Sequence, residues 1–316
     1  MSVTDMKTIL AASAGVPIDE NIALSAHTSF GIGGPAALFA VAKDTEILAR
    51  LLSTARNHAV EVLIVGGGTN LLVSDDGFDG LAIRLDLTRL EIDTASGRVT
   101  AEAGVPTAAL VERTVDAGLR GLAFAAGLPG TVGGALAGNA GCFGQCLSDP
   151  LFAAVLVSRT GEIVHMTDKG WFDFRYRHSK LLRSGHVLTE ATFCLDHGSR
   201  ERLTAEAQKN ISLRREKHPA PGLHTAGSYF KNLPPLTPGE HRRAAGMLLE
   251  QVGAKGLQVG GAAVFEKHAN IIVNRGGATA RDVLSLASEM QRRVKERFGV
   301  FLEPEVRFVG RKPEGF

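Results

Sequence analysis

The sequence predicts an α+β fold. Amphipathic helical patterns and short apolar strand patterns both occur, but they do not alternate in the steady strand–helix–strand order of a parallel α/β protein. The chain has 316 residues, which is long for one average domain and suitable for two or three. Because 44% of the residues are hydrophobic, a full core can be buried.

The N-terminal half contains clear helix and strand patterns. Residues 1–16 predict a short leading helix, and Lys43–Ala59 predicts an amphipathic helix capped by Asp44 or Thr45. The strand Glu61–Val65 runs straight into the sequence GGGTN. The later elements are the strand Leu81–Leu85, a hairpin over residues 91–104, the helix Thr107–Gly118, a Gly/Ala-rich segment over Gly121–Gly144, and strands over Ala153–Val157, Glu162–Met166 and Val187–Leu195.

A break in the pattern divides the C-terminal part from the rest. The polar helix Ser199–His218 is followed by Pro219, Pro221 and Gly222, which end regular structure and indicate a domain change nearby. The elements predicted after the break are the helix Pro238–Val252, the strands Gly260–Phe265 and Ala269–Val273, and the long helix Ala280–Phe298.

Charge and cysteine content exclude several classes of protein. The net charge is +2 and no long basic stripe occurs, which argues against nucleic acid as a ligand. No apolar run reaches the length of a membrane helix, so we expect no membrane insertion. Three cysteines in a chain without a signal-peptide pattern indicate a reducing compartment. Cys142 and Cys146 are close in sequence, but no further ligand completes a metal site, so we expect free thiols and no metal.

Two glycine-rich loops are candidates for binding a phosphate-bearing cofactor. Consecutive glycines let the backbone aim several N–H groups at one anion, although the first loop alone would equally suit a tight turn. The presence of a second loop favours cofactor binding over a simple turn, since two loops suit the two ends of a pyrophosphate. The loop residues are Gly66, Gly67, Gly68, Thr69 and Asn70 in the first, and Gly130, Thr131, Val132, Gly133, Gly134, Asn139 and Gly141 in the second.

Other glycine motifs do not match known nucleotide fingerprints. The chain lacks the GxxxxGK[ST] pattern of P-loop NTPases. The string GIGGPA, which starts at Gly31, lacks the spacing and the later acidic residue of a Rossmann unit. We expect it to let a strand approach a neighbouring backbone closely.

Acid–base groups occur in two late motifs. The string GSYFKN, residues 227–232, puts a serine hydroxyl, a lysine and a carboxamide on one short segment. The string LEPEVR, residues 302–307, could bring a carboxylate to the same place. Such a constellation needs a partner that carries the difficult chemistry.

The order of motifs resembles one enzyme family. The strings HTSFGIGGPAALF, VGGGTNLLVSDDGFDG, GLPGTVGGALAGNAGCFG, FRYRHS, AGSYFKN, GLQVGGAAVFEKHANIIVN and FLEPEVRFVG occur in the order seen in UDP-N-acetylenolpyruvoylglucosamine reductases. These are flavoenzymes of peptidoglycan precursor synthesis. The resemblance extends from about Asn21 to Gly310 and is to the shorter type II subclass.

The resemblance implies a fold and a cofactor. An FAD-binding domain of the vanillyl-alcohol-oxidase type would occupy residues 1–198, and a smaller α+β substrate domain would occupy residues 199–316. The last strand, about residues 303–310, would return toward the flavin. FAD would bind non-covalently through the two glycine loops, Arg215 and Arg307, with NADPH as the reductant. We expect a cytoplasmic monomer that acts on UDP-N-acetylglucosamine enolpyruvate.

The resemblance also implies roles for individual residues. Ser228 matches the family's proton donor, and Arg177 and Glu305 match its other two catalytic positions. Arg177 would meet the substrate carboxylate. Glu305 would act in its protonated form or through a hydrogen bond to the polarised carboxyl group; the alternative is that it orients Arg177. Tyr229, Lys231 and Asn232 are candidates for binding the uridine diphosphate or the sugar.

Two alternative hypotheses remain open. The chain could be an oxidase of the same fold with covalent FAD, for which Cys142 is a candidate anchor. It could also be a non-catalytic flavin or nucleotide-sugar binder, in which Arg177, Ser228 and Glu305 would be dispensable. The sequence departs from the family pattern at Cys142, Phe143 and Phe265, which affects the details of flavin or substrate packing.

Overall fold

The structure is a computed structural model that describes residues 2–237 and 239–316. The chain forms two compact units, each built from segments that are separate in sequence. Unit 1 comprises Met1–Ile22, Ala36–Gly67 and Asp79–Arg214, and unit 2 comprises Ala23–Pro35, Gly68–Phe78 and Arg215–Phe316.

Helices and strands are mixed in both units, so the predicted α+β class is confirmed. Within the described residues the helices are α1 (Val3–Ala14), α2 (Thr45–Asn57), α3 (Thr107–Asp116), α4 (Val132–Ala137), α5 (Leu181–Ser184), α6 (Arg200–Lys217), α7 (Ala245–Gln251) and α8 (Ala280–Phe298). The strands are β1 (Ile18–Ala23), β2 (Pro35–Ala42), β3 (Val62–Val65), β4 (Leu71–Val73), β5 (Phe78–Leu85), β6 (Leu90–Asp93), β7 (Arg98–Glu102), β8 (Leu119–Arg120), β9 (Gly141–Cys142), β10 (Gln145–Cys146), β11 (Leu151–Val157), β12 (Ile163–Met166), β13 (Val187–Cys194), β14 (Asp196–His197), β15 (His224–Ser228), β16 (Gln258–Val259), β17 (Ala262–Val264), β18 (Ile271–Asn274) and β19 (Arg307–Val309).

Unit 1 is built around two sheets. One has the order β1-β2-β5-β3, in which β3 and β5 run parallel. The other has the order β12-β11-β13-β7-β6 and is antiparallel throughout. Apolar faces of these strands and of α2 and α3 share one hydrophobic core. The second glycine loop packs against this core through the buried Val132, at which α4 begins.

Local sequence signals explain the elements of unit 1. The Asp44 side chain accepts a hydrogen bond from the Ile47 N–H at 2.6 Å and caps α2, whose Leu48, Leu51 and Ala55 are buried. The helix predicted over Lys43–Ala59 is therefore confirmed. The predicted hairpin is confirmed as the antiparallel pair β6 and β7.

Unit 2 is a four-stranded sheet packed against a long helix. The sheet order is β15-β18-β17-β16, and α8 buries Val283, Leu286, Met290 and Val294 in the main core of the unit. The predicted bounds of α8 are confirmed. A separate parallel pair joins β4, which follows the first glycine loop, to β19 near the C-terminus. Residues on either side of that pair are thereby held close together.

The helix predicted over Pro238–Val252 is wrong at its start. Pro238 lies outside the described residues, and α7 begins only at Ala245. The expected first turns are replaced by a β-bridge in which Leu233 and Arg243 exchange two main-chain hydrogen bonds of 2.9 and 3.1 Å. Backbone groups that pair with a neighbouring segment are not available for helical bonds.

The glycines of GIGGPA have the predicted role. A Cβ on Gly34 would lie 2.2 Å from the carbonyl oxygen of Asp75, and one on Gly33 would lie 2.8 Å from Cβ of Val73. Both positions therefore need glycine so that two backbone segments of unit 2 can pack closely.

None of the described helices combines the length and the apolar character that a membrane crossing requires. The predicted domain division between residues 198 and 199 stays a prediction. It differs from the boundary of the compact units, which lies between Arg214 and Arg215 in α6.

The start of α8 generates a stability prediction. The Asp75 carboxylate accepts hydrogen bonds from the N–H groups of Ala280 (2.7 Å) and Arg281 (3.1 Å), and Thr279 caps the next N–H. Asp75→Ala removes a counter-charge and two hydrogen bonds from the helix N-terminus, so the free energy of unfolding should fall by about 1–2 kcal/mol.

Urea denaturation measures this change as a lower midpoint with an unchanged m-value. The control is Asp76→Ala, because Asp76 is exposed and it is its main-chain N–H that donates to the Ser74 hydroxyl, at 3.3 Å. It should change the free energy by less than about 0.5 kcal/mol. Equal losses in the two variants would contradict the capping role.

Candidate active site

The second glycine loop of unit 1 combines packing positions with an open, polar edge. The N–H groups of Val132 and Gly133 donate to the carbonyls of Val105 and Ala103 at 2.9 Å, and a Cβ on Gly133 would lie 2.8 Å from Cβ of Ala103. The main-chain N–H groups of these two residues therefore stabilise the fold itself. Gly134 is exposed, so it leaves the edge of the loop accessible.

Two buried side-chain oxygens of this loop indicate that it can bind a ligand. Oγ1 of Thr131 and Oδ1 of Asn139 are buried and have no hydrogen-bond partner within residues 2–237 and 239–316. A Cβ on Gly66 would lie 2.7 Å from the same Thr131 oxygen, so the glycine preserves space beside it. A ligand with several hydroxyl, amide and phosphate groups, such as FAD, fits an open cradle with unsatisfied hydrogen-bonding atoms.

Arg177 lies beside this loop in unit 1. Its Nη1 donates to the carbonyl of Gly141 at 3.2 Å, and the side chain of Asn139 donates to the carbonyl of Arg175 at 3.0 Å. Arg177 has φ +51°, a left-handed conformation that costs a non-glycine residue about 1–2 kcal/mol. Such strain at a charged residue is typical of functional sites, where neighbouring contacts enforce one side-chain direction.

The first glycine loop crosses from unit 1 to unit 2 between Gly67 and Gly68. Gly68 has φ +62°, and a Cβ there would lie only 2.0 Å from the carbonyl oxygen of His27. Its carbonyl accepts the N–H of Ser29 at 3.1 Å. Gly68 is thus required by the backbone, whereas Gly66 faces the Thr131 hydroxyl.

Asn70 connects this loop to the Glu305 segment within unit 2. The Asn70 side chain donates to the carbonyl of Glu305 at 3.1 Å, and the Asn70 carbonyl accepts the N–H of Arg307 at 3.0 Å. The parallel pairing of β4 with β19 continues this contact. Asn70 therefore positions the main chain that carries Glu305.

Ser228 ends β15 directly after a β-bulge. Thr225 pairs with Val273 and Ser228 pairs with Ile271, so one extra residue lies on β15 between them. Gly227 in the bulge has φ +77°, which favours glycine. Bulges next to active sites commonly redirect a side chain.

The segment that follows Ser228 lies against the segment that contains Glu305. The N–H of Glu305 donates to the carbonyl of Tyr229 at 2.7 Å, and the N–H of Lys231 donates to the carbonyl of Glu303 at 2.8 Å. The structure therefore brings together the Ser228 and Glu305 motifs, which are far apart in sequence.

The candidate substrate-binding residues have different surroundings. Tyr229 is buried in the core of unit 2, with its ring edge-on to Phe230, and desolvation raises the pKa of its hydroxyl to about 12. The Lys231 ammonium forms a 2.6 Å ion pair with the exposed Glu303. The Asn232 side chain accepts the N–H of Ala245 at 3.2 Å at the start of α7.

The two arginines predicted to contact FAD lie on different elements. Arg215 is exposed on α6, and Arg307 is exposed on β19. The adjacent Arg214 instead packs over Gly127, and its Nε is buried without a partner in the described part of the chain. Asn270, which the sequence marks only as a weaker candidate for substrate binding, directly precedes the apolar run IIV and is 2% exposed.

The surroundings of the three cysteines and of the possible metal ligands can be described individually. No cluster of three or more His, Cys, Asp or Glu side chains that could hold a metal occurs among the described residues. Cys142, Cys146 and Cys194 are free. The thiol of Cys142, the candidate anchor, donates to the carbonyl of Phe124 at 3.2 Å.

Comparison with known proteins identifies the family. The model of the UDP-N-acetylenolpyruvoylglucosamine reductase C-terminal domain matches residues 218–309, and a model of an FAD binding domain matches residues 36–167. A UDP-N-acetylenolpyruvoylglucosamine reductase of Solibacter usitatus is 38% identical over 94% of this chain and 99% of its own length. The chain belongs to the UDP-N-acetylenolpyruvoylglucosamine reductase family. A Geobacter metallireducens member is 41% identical over 91% of this chain and 92% of its own length.

Solved structures agree with this family and its fold. The crystal structure of UDP-N-acetylenolpyruvylglucosamine reductase from Thermus caldophilus covers 93% of this chain, and this chain covers all of it, with a TM-score of 0.77 and 31% identity. The glucose dehydrogenase Phl p 4.0202 aligns with 62% of this chain and 44% of its own length, with a TM-score of 0.51 and 14% identity. That second likeness, at such low identity, shows the fold alone.

The two loop glycines should respond differently to the same substitution. Gly66→Ala should fold with nearly normal stability but weaken FAD binding by about tenfold or more, because its methyl group fills the space beside the Thr131 hydroxyl. Gly68→Ala should lower the free energy of unfolding of the apoprotein by about 2 kcal/mol or more. The positive φ of Gly68 disfavours any side chain, and a Cβ there would clash with the carbonyl oxygen of His27. Flavin fluorescence titration and denaturation of apoprotein measure the two effects; the reverse pattern would contradict this assignment.

His268 generates a prediction about pH. Burial lowers the pKa of His268 below its ordinary value of 6.5, and the charges of Lys217 and Lys255 lower it further. A backbone hydrogen bond and the charge of Glu250 oppose these effects without reversing them. Its Nδ1 accepts the N–H of Asn270 at 3.2 Å, which requires the neutral ring.

Because the unfolded chain then binds more protons than the folded chain below about pH 6.5, the stability contributed by neutral His268 is lost as the pH falls. We expect the free energy of unfolding to drop less between about pH 7.5 and 5.5 in His268→Gln than in the wild type. Denaturation at the two pH values measures this, and an unchanged slope in the variant would contradict it.

Proposed function

We propose that this chain reduces the enolpyruvyl group of UDP-N-acetylglucosamine enolpyruvate to the lactyl ether of UDP-N-acetylmuramate, a step of peptidoglycan precursor synthesis. Membership of the family over nearly the full chain supports an FAD-dependent oxidoreductase that uses NADPH. The observation that carries the proposal is the contact between the Tyr229–Lys231 and Glu303–Glu305 segments, which holds the two acid–base motifs together.

The two glycine loops would hold FAD non-covalently, and the bound FAD would supply the hydride that NADPH provides. The Thr131 and Asn139 side chains of the second loop would offer it hydrogen bonds, and Gly66 would leave room for it. Arg215 and Arg307 are the proposed cationic contacts. Both side chains are exposed and therefore accessible to a phosphate or a flavin carbonyl.

Ser228 is the proposed proton donor. Hydride addition to the terminal CH₂ carbon of the enolpyruvyl group leaves negative charge on the neighbouring carbon and the carboxylate. The Ser228 hydroxyl donates its proton to that carbon, which completes the saturated lactyl ether. A serine is a weak acid, but the enolate is a strong base, and a positioned general acid contributes about 10²- to 10⁴-fold to the rate.

Arg177 and Glu305 are the proposed stabilisers of the developing charge. The planar guanidinium of Arg177 can bind the substrate carboxylate through two parallel hydrogen bonds. A donor aimed at developing charge lowers the activation barrier by about 3–4 kcal/mol. Glu305 acts in its protonated form or through a hydrogen bond to the carboxyl group, since an ionised carboxylate would repel the enolate.

The remaining assignments extend this proposal. Tyr229, Lys231 and Asn232 would bind the diphosphate or the sugar, with Lys231 exchanging its ion pair with the exposed Glu303 for a phosphate. Residues 1–198 would form the FAD-binding domain and residues 199–316 the substrate domain. The protein would act as a monomer in the cytoplasm, where its three free thiols remain reduced.

Ser228→Ala should separate the two half-reactions. NADPH should still bleach the visible flavin absorbance at the wild-type rate, because that step does not use the serine. Return of the colour on addition of the enolpyruvyl substrate should slow by about 10²-fold or more, because the proton donor is missing. Stopped-flow absorbance measures both steps.

The control for this substitution is Ser288→Ala, which changes an exposed serine on α8 of the same unit and should leave both rates unchanged. Recolouring of Ser228→Ala at the wild-type rate would rule out Ser228 as the proton donor. Acid precipitation tests the cofactor linkage: yellow colour in the supernatant is expected for dissociable FAD, and colour in the pellet would indicate a covalent bond.

A further inference from the structure

The β-bulge before Ser228 determines which face of the sheet carries the hydroxyl. In a regular antiparallel pair, Thr225 opposite Val273 would place Ser228 opposite Asn270. The structure pairs Ser228 with Ile271 instead. A shift of one residue moves a side chain to the other face of a sheet, so the bulge reverses the direction of Ser228.

The two faces differ in what covers them. Ile272 packs into the main core of unit 2, whereas Ile271 and Val273 belong to a separate small cluster with Ala263 and Phe265. Ser228, as the partner of Ile271, lies on the face away from the main core, and the next residue, Tyr229, returns to that core. Without the extra residue, the serine hydroxyl would point into the apolar core.

The Thr225 hydroxyl stabilises the bulge. A bulge leaves ladder groups of the backbone unpaired. Oγ1 of Thr225 accepts the N–H of Gly227 at 3.1 Å and donates to the carbonyl of Ile272 at 2.8 Å. One side chain thereby satisfies a donor inside the bulge and an acceptor on the neighbouring strand.

The segment after Ser228 is fixed independently. Oδ1 and Nδ2 of the buried Asn270 bind the N–H and the carbonyl of Phe230 at 2.9 and 2.8 Å, and the Asn270 carbonyl accepts the N–H of Tyr229 at 2.7 Å. Ser228 is therefore held rigidly on its C-terminal side, so its direction depends on the bulge on its N-terminal side.

We propose that Thr225 is a positioning residue for proton transfer, acting through the bulge on the Ser228 hydroxyl. This inference rests on the proposed role of Ser228. Thr225→Val keeps the volume but removes both hydrogen bonds, so the bulge can relax. Since a misplacement of about 1 Å costs up to about 10²-fold, we expect substrate-driven return of the flavin colour to slow by about 10- to 100-fold.

The same variant should bleach with NADPH within about twofold of the wild-type rate, because bleaching needs no proton from Ser228. The solvent deuterium isotope effect on recolouring should rise, because proton transfer becomes rate-limiting; a purely structural loss would not change it. Thr225→Ser, which retains the hydroxyl, should recolour within about threefold of wild type.

Gly227→Ala gives a second perturbation of the bulge, because only the φ of +77° disfavours a methyl group there and nothing lies within 4 Å of the new Cβ. It should show the same split between the half-reactions, and it replaces Thr225→Val as the test if that variant does not fold.

The matched control is Thr279→Val in unit 2, whose hydroxyl also accepts a main-chain N–H, at 3.0 Å from Asp282, but at the start of α8. It should lower stability without separating the half-reactions. The inference is overturned if Ser228→Ala slows recolouring but Thr225→Val and Gly227→Ala do not, or if these variants slow both steps equally. Normal recolouring of Ser228→Ala would instead overturn the proposed role of Ser228, and a wild-type protein whose flavin does not recolour with the enolpyruvyl substrate would overturn the proposed function, so these failures are distinguishable.

Discussion

The site depends on the main-chain hydrogen bonds of the segment that follows Ser228. Five consecutive main-chain groups, from the N–H of Tyr229 to the N–H of Lys231, all have partners, supplied by Asn270, Glu305 and Glu303. Buried backbone groups are costly to leave unpaired, so this segment has one low-energy position. The fold thereby fixes the serine and the glutamate motifs together.

The glycine-rich motifs divide into structural and ligand-facing positions. Gly68 and Gly133 are glycines because neighbouring backbone or a neighbouring Cβ occupies the space of a side chain. Gly66 instead preserves an opening beside an unpartnered Thr131 hydroxyl. Only the second kind of position can select a cofactor, because the first kind is already committed to the protein's own contacts.

Strained or irregular backbone accompanies two of the proposed catalytic residues. Arg177 itself has a left-handed φ, and Ser228 follows a bulge that contains the left-handed Gly227. Regular helices and strands would direct these side chains elsewhere, so each irregularity is retained at a cost in stability. Functional sites are where such local costs are expected.

The sequence by itself determined the α+β class, helices such as α2 and α8, the β6–β7 hairpin and the family, because caps, periodicity and motif order are properties of neighbouring residues. It also named Ser228 and Glu305 as residues that should meet. Only the tertiary structure decided the late start of α7, the bulge before Ser228 and the roles of Thr225, Asn270 and Asn70. These features depend on which backbone groups pair across the fold, as in the bond from Asn70 to Glu305 across 235 residues, and no local pattern encodes such a choice.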